Sequence, residues 1–370
     1  MNRFRYRIRN TARLLFVVLT MSAALVNSEE KEIPIVWHDV ASWGVEGQGW
    51  PPGALKLRYD RLPAKAEGIV RDAVWNLSRD SSGILFRFNT DSTEFTIRYK
   101  LGDAGLAMPH MPATGVSGVD VYALDDGKWK WVDVSKPTKQ EVEHTIKGLD
   151  PGLRTYMCYL PLFNSTAEIS IGVPENSKFQ PVAPRKQKPI VFYGTSITHG
   201  ACASRPGMTH PAILGRRLDY PIVNLGFSGN GKMEPEVGAL LTEIDAAAYV
   251  IDCLPNMDGD MVEERALPLV KQLRRARPNT PIILVEDRSF TNSWIFKSRR
   301  DRHKGNRASL VRAFDALVST GEKDIYYIPG EDLLGGDTEG ATDGSHPNDL
   351  GFMRQADEFE PVLRKALDIE

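Results

Sequence analysis

The sequence predicts an α/β protein in which an antiparallel β domain precedes a doubly wound domain with a parallel sheet. From about residue 33 to residue 182, short runs of alternating apolar and polar residues are separated by turn residues, which is typical of an antiparallel β-sandwich or jelly roll. After residue 189, apolar runs alternate with helical stretches, which is typical of a parallel sheet covered on both faces. A Pro- and Lys-rich segment joins the two patterns, so we predict domains at residues 29–184 and 185–370.

Residues 1–28 are predicted to be a cleavable signal peptide rather than part of the fold. A basic region comes first and contains Arg3, Arg5, Arg7, Arg9 and Arg13. The apolar region at residues 14–26 is shorter than the roughly 20 residues that a membrane-spanning helix needs. Small residues follow it, without the cysteine of a lipoprotein. We therefore expect cleavage near Ser28 and a secreted or periplasmic protein that has no membrane partner after cleavage.

The overall composition argues against several functional classes. The chain has 370 residues, of which 42% are hydrophobic and 25% charged, and its net charge is −2. This balance gives no electrostatic reason to expect a nucleic acid or an anionic membrane as partner. Cys158, Cys202 and Cys253 show no C-x-x-C spacing, so neither a zinc site nor a disulfide framework is indicated. Buried thiols are favoured, and a single disulfide stays open.

Six strands are predicted in the first domain, each a short run with two-residue alternation. They are residues 83–88, 94–100, 119–124, 128–132, 155–160 and 167–173. Asp125-Asp126-Gly127 lies between two of these runs and predicts a hairpin turn. Six of the seven tryptophans lie in this half. We expect them to fill the core, with a carbohydrate-stacking platform as the alternative.

Five buried strands and four helices are predicted in the second domain. The strands are residues 190–193, 222–225, 248–254, 282–285 and 325–328, and the helices are residues 210–218, 236–244, 261–275 and 306–319. This alternation predicts right-handed crossover connections. In such a sheet the ligand site lies beyond the carboxyl ends of the strands.

Four polar or glycine-rich clusters follow these strands, and we therefore expect them to meet at one edge of the sheet. They are Gly194-Thr195-Ser196, F-S-G-N-G at residues 227–231, L-P-N-M-D at residues 254–258 and D-G-S-H-P at residues 343–347. A hydroxyl at the tip of a buried strand, beside a glycine that lets the chain turn, is where an α/β enzyme places a nucleophile. The convergence predicts a catalytic site around Ser196.

Within these clusters, Ser196 is the predicted nucleophile, His346 the predicted general base and Asp343 the residue that orients the base. The D-x-x-H spacing can place the carboxylate against one imidazole nitrogen while the other nitrogen faces the serine. Acyl transfer also needs hydrogen-bond donors for the developing oxyanion. We expect these donors to be the backbone N–H groups of Ser196 and Gly229 and the side-chain amide of Asn256.

Three further polar residues lie close to these clusters in the sequence. His199, three positions after Ser196, is expected to be a substrate-side or structural residue, and His210 is expected to be structural. Arg205 is expected near the mouth of the pocket. There it either contacts an acidic or polyol substrate or forms a surface salt bridge.

Several known motifs are not matched. Thr198 occupies the position of the second glycine in G-x-S-x-G, so the nucleophile elbow of α/β-hydrolases is not matched. No G-x-G-x-x-G follows the first strand and no P-loop lysine is present, which argues against nucleotide binding. Metal ligation by Asp252, Asp258, Asp287 and His346 stays open, although their spacing matches no metal signature. Neither a metal nor an organic cofactor is predicted.

The four clusters resemble the blocks of the SGNH (GDSL-like) hydrolase superfamily, which contribute a serine, a glycine, an asparagine and a histidine in that order. G-T-S-I-T-H-G around Ser196, G-F-S-G-N-G around Gly229 and D-C-L-P-N-M around Asn256 are similar to the first three blocks, and D-G-S-H is similar to the fourth. The first block departs from a literal G-D-S-L. The third departs from G-x-N-D, because Leu254 and Met257 replace the glycine and the aspartate.

Two longer strings, T-H-G-A-C-A-S-R-P-G-M and N-L-G-F-S-G-N-G-K-M-E-P-E, are similar to one bacterial subgroup of this superfamily. Its N-terminal β domain carries a G-x-D-L-Y signature, and G-V-D-V-Y at residues 118–122 is similar to it. The resemblance implies a flavodoxin-like three-layer α/β/α catalytic domain, a serine esterase mechanism and no cofactor. It further implies short acyl esters as substrates, often acetyl esters and often of carbohydrates.

Two other functional classes stay open. A carbohydrate-binding or scaffolding protein with an inactive hydrolase domain would fit the tryptophan-rich β domain and the altered third block. An acyltransferase, a thioesterase or a peptide hydrolase could use the same triad. Because all the catalytic side chains are present, we expect a secreted serine esterase that acts on a small-molecule or polysaccharide acyl ester.

Overall fold

The computed structural model describes residues 33–369, so the predicted signal peptide at residues 1–28 lies outside the described residues. In the first half of that range the chain forms nine strands and two short helices. The strands are β1 (Ile35–Asp39), β2 (Leu85–Thr90), β3 (Glu94–Leu101), β4 (Asp120–Asp125), β5 (Lys128–Val134), β6 (Glu141–Lys147), β7 (Arg154–Tyr159), β8 (Thr166–Pro174) and β9 (Phe179–Val182), and the helices are α1 (Asp72–Leu77) and α2 (Ala113–Val116).

These strands form two antiparallel sheets that share one core. The first has the order β1-β8-β3-β6 and the second the order β5-β4-β7-β2-β9. Phe88 and Tyr156 from one sheet pack with Phe95, Ile97 and Ile171 from the other, all of them buried. All six predicted strands are present, with ends shifted by at most two residues. The predicted antiparallel β domain is confirmed.

Three strands were not predicted, and each lies at the edge of a sheet. β1 and β6 are the outer strands of the first sheet, and β9 is an outer strand of the second. Edge strands tolerate proline and polar residues because one side of the backbone has no sheet partner. Accordingly, β9 contains Pro181, and β6 has four exposed residues out of seven. Their sequences therefore give a weaker strand signal than the central strands do.

The second half of the chain contains a five-stranded parallel sheet. Its strands are β10 (Ile190–Gly194), β11 (Ile222–Gly226), β12 (Ala248–Asp252), β13 (Ile282–Val285) and β14 (Ile325–Ile328). Their order is β11-β10-β12-β13-β14, which is the flavodoxin-like order of a doubly wound sheet. The third strand ends at Asp252 rather than at the predicted Leu254, because the chain then enters a 3-10 turn at Leu254–Asn256.

Helices cover both faces of this sheet. They are α3 (Ser196–His199), α4 (His210–Arg217), α5 (Pro235–Leu241), α6 (Gly259–Ala276), α7 (Lys297–Ser319) and α8 (Asp349–Leu367). Buried side chains of α4 and α8 pack on one face with Phe192 and Val250, and those of α5, α6 and α7 pack on the other face with Tyr193 and Ile251. The predicted three-layer α/β/α arrangement is confirmed. Helix α7 begins at Lys297 instead of the predicted residue 306, and α8 was not predicted.

Of the seven tryptophans, two are buried, three are half-buried and two are exposed, so the expectation that they fill the core is wrong for most of them. Trp50 and Trp75 are buried, but they pack in the core of the α/β half rather than within the sandwich. Trp131 is 49% exposed. The three cysteines are all buried and none forms a disulfide. Of the helices in the described part of the chain, none combines the length and the apolar character needed to cross a bilayer.

Residues 34–369 form one compact unit, and the chain passes directly from β9 to β10 inside it. The domain boundary between residues 184 and 185 therefore stays a prediction. The fully buried Arg61 links the two architectures, because it donates hydrogen bonds to the carbonyl oxygens of Asn224 (3.1 Å) and Gly226 (2.7 Å) in β11. Burial lowers the pKa of the Arg61 guanidinium to about 10, since a low-dielectric surrounding disfavours the charge.

Candidate active site

Ser196 stands at the carboxyl end of the central strand β10. The strand ends at Gly194, and Thr195 caps helix α3 by accepting a hydrogen bond at Oγ1 from the Ile197 N–H (3.2 Å). A side chain at Gly194 would collide, because its Cβ would lie 2.0 Å from Thr198 Oγ1. This tight turn leaves Ser196 as the first residue of α3, 7% exposed. The serine is thus held rigidly at the sheet edge where the sequence predicted it.

The hydroxyl of Ser196 begins a chain of two hydrogen bonds. Its Oγ lies 2.8 Å from His346 Nε2, and His346 Nδ1 lies 2.7 Å from Asp343 Oδ2. A carboxylate only accepts hydrogen bonds, so Nδ1 carries the ring proton and donates this hydrogen bond to Asp343. Nε2 is therefore the acceptor that faces the serine hydroxyl. The three residues form one connected Ser–His–Asp chain.

Asp343 is held in place by the turn that it begins. Its Oδ1 accepts hydrogen bonds from the backbone N–H groups of Ser345 (2.9 Å) and His346 (2.8 Å), and Gly344 turns the chain with a φ of +86°. Partial burial raises the pKa of Asp343, but the hydrogen bonds from His346 and Ser345 outweigh it and lower the pKa to about 2. The carboxylate is therefore ionised at neutral pH and can stabilise a charged imidazole.

The predicted oxyanion donors lie in two loops that touch each other. Gly229 follows β11 with a φ of +70°, and its Cα faces open space. Asn256 ends the 3-10 turn after β12. Its side-chain oxygen accepts from the backbone N–H groups of Asn230 (3.0 Å) and Gly231 (3.2 Å), because the opposite amide orientation would set donors against donors. This orientation points the NH2 group of Asn256 as a donor towards neighbouring acceptor atoms.

Gly231 brings these loops against the nucleophile strand. A Cβ at this position would lie 1.9 Å from the carbonyl oxygen of Gly194. The backbone N–H of Phe227 also donates to that oxygen (3.0 Å). The loops after β10, β11 and β12 are therefore in direct contact, as the rule for the carboxyl edge of a parallel sheet predicts.

A buried network joins the histidine loop to the Asn256 loop. Arg288 is 3% exposed and donates from Nε to the carbonyl oxygen of Ser345 (3.3 Å), and it also bonds Ser345 Oγ and Asp287. Asn306 donates to Asp287 Oδ2 (3.1 Å) and to the carbonyl oxygen of Met257 (2.9 Å). Sequence reasoning missed Arg288. The polar run E-D-R at residues 286–288 follows β13 at the same sheet edge and could have revealed it.

The β half also reaches the site. Arg71 donates to the side-chain oxygen (2.7 Å) and the backbone oxygen (3.1 Å) of Asn230, the neighbour of Gly229. The ring centroid of His110 lies 6.3 Å from that of His346. The sequence carries no local signal for either residue, because both lie far from the four clusters along the chain.

The other sequence-predicted residues have structural surroundings. His199 is fully buried, stacks on Phe163 at 4.0 Å and bonds the Leu162 carbonyl oxygen (2.7 Å), and burial with the nearby Arg61 charge lowers its pKa. Burial also lowers the pKa of His210, to about 3. The substrate-side alternative for His199 is therefore not supported.

Arg205 forms an ion pair, but not the surface pair considered from the sequence. Its guanidinium donates to the buried carboxylate of Asp120 (2.9 Å) and to Tyr122, both in the G-V-D-V-Y string. It also lies over the ring of Trp131, 5.1 Å from the centroid. Burial raises the pKa of Asp120, while Arg205 and neighbouring donors oppose that rise. Arg205 thus links the R-P-G-M string of the α/β half to the β half.

The Ser–His–Asp chain supports one kind of chemistry directly. A histidine held by a carboxylate can remove the proton from a serine hydroxyl, which makes the oxygen a nucleophile for an acyl carbon. Donors beside the serine can stabilise the oxyanion that develops. Among the described residues, no three His, Cys, Asp or Glu side chains lie together in an arrangement that could hold a metal ion.

Two family profiles match successive parts of the chain. The GDSL-like lipase/acylhydrolase family matches residues 187–364, and the N-terminal domain of SGNH-hydrolase-type esterases matches residues 35–179. No curated protein matches the chain.

Solved structures of similar fold cover almost the whole chain. A protein of Bacteroides ovatus named as a GDSL-like lipase is 30% identical, with 91% of this chain and 99% of that chain covered and a TM-score of 0.86. A salicylyl-acyltransferase from a tetracycline biosynthetic pathway is 20% identical, with coverage of 90% and 97% and a TM-score of 0.69. An acetyl xylan esterase from the rumen bacterium Butyrivibrio proteoclasticus is 12% identical, with coverage of 90% and 99% and a TM-score of 0.52.

The last two likenesses show a shared fold alone, whereas the first extends over nearly the whole chain at 30% identity. Together with the two family matches, it confirms the resemblance that the four sequence blocks indicated. The chain belongs to the GDSL-like lipase/acylhydrolase family of SGNH-type enzymes, and it is an ester hydrolase.

Proposed function

We propose that this enzyme is a secreted serine esterase that removes short acyl groups, acetyl in particular, from carbohydrates. The observation that carries the proposal is the continuous hydrogen-bonded chain from Ser196 through His346 to Asp343. An esterase needs a serine, a base and a group that orients the base, in this connectivity. These three residues lie at the carboxyl edge of the parallel sheet, where a substrate can approach them.

In the proposed mechanism, His346 Nε2 removes the proton from Ser196 as Oγ forms a bond to the ester carbonyl carbon. The oxyanion is held by the N–H groups of Ser196 and Gly229 and by the side-chain amide of Asn256. Collapse of this intermediate breaks the bond to the alcohol oxygen, which leaves with the proton from His346. Water then attacks the acyl-enzyme, again with His346 as base, and releases the acid. The low pKa of Asp343 keeps its carboxylate ionised while the imidazole is charged.

Support for an acetylated carbohydrate substrate comes from the similarity of fold to a known esterase and from the limited access to Ser196. The acetyl xylan esterase noted above shares the fold over 90% of this chain and 99% of its own. Ser196 as a residue is only 7% exposed, which favours a small acyl group at the reacting carbon. An acyltransferase remains the second candidate, because the salicylyl-acyltransferase covers as much of the chain with a higher TM-score.

The test compares the wild-type enzyme with Ser196→Ala on p-nitrophenyl acetate and on a panel of acetylated polysaccharides. Released acetate is the measured quantity. We expect the rate to fall by at least about 10⁴-fold, since the triad acts as a unit. Ser319→Ala is the control, because this exposed hydroxyl bonds only the preceding helix turn. A Ser196→Ala enzyme that keeps near-wild-type activity would falsify the proposed mechanism.

Alcohol acceptors added to the same assay separate transfer from hydrolysis. We expect acetate as the main product, whereas acylated acceptor as the main product would favour the acyltransferase. Equal, negligible rates for the folded wild-type and Ser196→Ala proteins on every ester would favour the carbohydrate-binding alternative.

Secretion is part of the proposal and has its own measurement. The basic and apolar segments at residues 1–28 support export through a cleaved signal. We expect the extracellular or periplasmic protein to have the mass of residues 29–370. A full-length chain that stays inside the cell would contradict this part of the proposal.

A further inference from the structure

The first turns of helix α7 carry an unusual concentration of positive charge. Six of the eleven residues 297–307 are Lys or Arg and only Asp301 is acidic, although the whole chain has a net charge of −2. We call Arg299, Arg300 and Arg302 the basic rim. Residues 297–305 contain no apolar side chain, so the requirements of core packing do not explain the composition of this segment.

The basic rim lies against both catalytic loops. Arg299 Nη1 donates to Asn292 Oδ1 (2.6 Å) and lies 3.4 Å from the carbonyl oxygen of Asp343. Arg302 Nη2 donates to the carbonyl oxygen of Pro255 (3.0 Å), next to Asn256. The two guanidinium groups therefore flank the loop of the general base and the loop of a proposed oxyanion donor.

The arginines of the basic rim bond amide and carbonyl oxygens rather than carboxylates. The contacts of Arg299 and Arg302 are to an amide and to backbone carbonyls, and Arg300 donates to the carbonyls of Ser293 and Trp294. Within residues 33–369, none of the three forms an ion pair with Asp or Glu, whereas Arg307 and Arg312 on the same helix do. Each guanidinium has five N–H donors, so several stay available to a ligand.

A cleft of about 630 Å³ lies beside the basic rim. Its lining includes Arg299, Arg302, Phe290 and the carboxylates of Asp258 and Asp301. Both carboxylates are already engaged, since Asp258 caps helix α6 and Asp301 pairs with Lys297. With Lys297 counted, three basic side chains stand against the two carboxylates at the cleft, and this excess of one positive charge favours an anionic ligand.

An exposed aromatic surface adjoins the same cleft. Trp294 is 71% exposed, and Ile295 and Phe296 are 60% and 51% exposed. The guanidinium of Arg299 stacks on Phe290 and Phe296, with 5.3 Å to each ring centroid. An exposed cluster of this kind is typical of a binding surface. An exposed tryptophan beside arginines suits a ligand with both a flat apolar face and a charge.

We infer that the ester substrate is an acylated saccharide whose sugar carries a carboxylate, as a uronic acid unit does. The carboxylate would be held by Arg299 and Arg302, since the planar guanidinium fork matches carboxylate geometry. The sugar face would lie on Trp294, and the acyl ester would reach Ser196. This inference rests on the proposed function, because it assigns a substrate class to the same esterase site.

The test measures kcat/KM for two matched esters, O-acetylated methyl glucuronoside and O-acetylated methyl glucoside. We expect the wild-type enzyme to prefer the acidic ester by about tenfold or more, the effect of one charge-assisted hydrogen bond. The preference should shrink at about 1 M salt, which screens exposed charges. Arg302→Gln and Arg299→Gln should lose most of the preference while they still hydrolyse the neutral ester, and Arg302→Lys should keep part of it.

Arg312→Gln is the matched control, because Arg312 is an exposed arginine of the same helix that pairs with Glu263. It should retain the full preference. Equal kcat/KM values for the two esters in the wild-type enzyme would overturn the inference, and so would a preference that survives in the Arg302→Gln, Arg299→Gln double variant. A preference for a sulfated sugar ester with none for the glucuronoside would overturn the assignment to a carboxylate.

Failure of the esterase proposal would look different. In that case neither ester would be hydrolysed in a Ser196-dependent way, in the wild-type enzyme or in any variant. Ser196-dependent hydrolysis of the neutral ester without acid preference would overturn the substrate class alone.

Discussion

Replacing Gly231 with alanine would force two backbone segments of the active site apart. The new Cβ would lie 1.9 Å from the carbonyl oxygen of Gly194, 2.5 Å from its carbon and 3.2 Å from Thr195 N, whereas ordinary contact begins at 3.4 Å. Each of these atoms belongs to the main chain. No side-chain rotation can therefore relieve the collision, and one loop must move by about 1.5 Å.

The direction of this movement matters for catalysis. Gly194 lies two residues before Ser196, and the Gly231 N–H donates to the side-chain oxygen of Asn256. A shift between these segments displaces the serine from the amide that we propose to hold the oxyanion. Because a misplacement of about 1 Å can cost about 100-fold in rate, we expect kcat to fall about 100-fold. Overpacking should also lower the free energy of unfolding by about 1–3 kcal/mol.

The assay is steady-state hydrolysis of p-nitrophenyl acetate, together with urea unfolding of the same preparations. Gly336→Ala is the matched control, since no atom lies within 4 Å of the added Cβ and its φ is unstrained. It should change neither kcat nor the unfolding curve. A Gly231→Ala enzyme with kcat within threefold of wild type and an unchanged free energy of unfolding would refute the steric argument.

Three further predictions follow from contacts around the site. Arg71→Ala should lower kcat about tenfold, because Asn230 loses its hydrogen bonds to the guanidinium. Thermal stability should change little, since the Arg71 side chain is 43% exposed. A fall in thermal stability without a fall in kcat would contradict this prediction. Arg288→Lys should lower kcat about tenfold at unchanged KM, since an ammonium cannot hold both oxygens of Ser345 as the planar guanidinium does; steady-state kinetics decide. Burial raises the pKa of Asp252 to about 7, so the contribution of this residue to stability should fall as the pH rises from 4 to 7. In urea unfolding, the free energy of unfolding of Asp252→Asn relative to that of the wild type should therefore increase by up to about 4 kcal/mol between pH 4 and pH 7. A difference between the two proteins that stays constant over this interval would contradict the prediction.

The central strands could be predicted from the sequence because burial on both faces leaves a continuous apolar run. Strands β10 and β13 were located to within one residue for this reason, and the outer strands β11 and β14 were located as closely. The edge strands β1, β6 and β9 were missed, since a strand with one free side is not required to be apolar. The outer strands β5, β11 and β14 were nevertheless predicted, because their apolar and aromatic residues give a strand pattern.

The two long C-terminal helices failed for different reasons. The first nine residues of α7 contain no apolar side chain. The 3.6-residue repeat of apolar residues that indicates a helix is therefore absent before residue 306. Helix α8 contains Pro361, which argues against a helix in sequence reasoning. Its buried Phe352, Phe359 and Leu363 nevertheless keep it against the sheet, and tertiary packing outweighs the local penalty.

The sequence predicted those residues of the candidate site that the carboxyl ends of the parallel strands bring together. Ser196, Asp343 and His346 follow strand ends, and the structure joins them by hydrogen bonds, while their catalytic roles stay proposals. The supporting arginines were not predictable from local pattern. Arg71 lies 159 residues from its partner Asn230, and such pairs arise only when the chain has folded.

The contact between Arg61 and β11 bears on how the protein avoids aggregation. β11 is an outer strand of the parallel sheet, with a sheet partner on one side only. Arg61 occupies two of its carbonyl oxygens. Gly83 packs so closely on Asn224 in this strand that a Cβ would lie 2.5 Å from that side chain. The N-terminal half thus shields an edge that could otherwise pair with the same edge of a second molecule. A hydrolase half produced alone would expose this strand, and we expect it to self-associate even if its catalytic residues were intact.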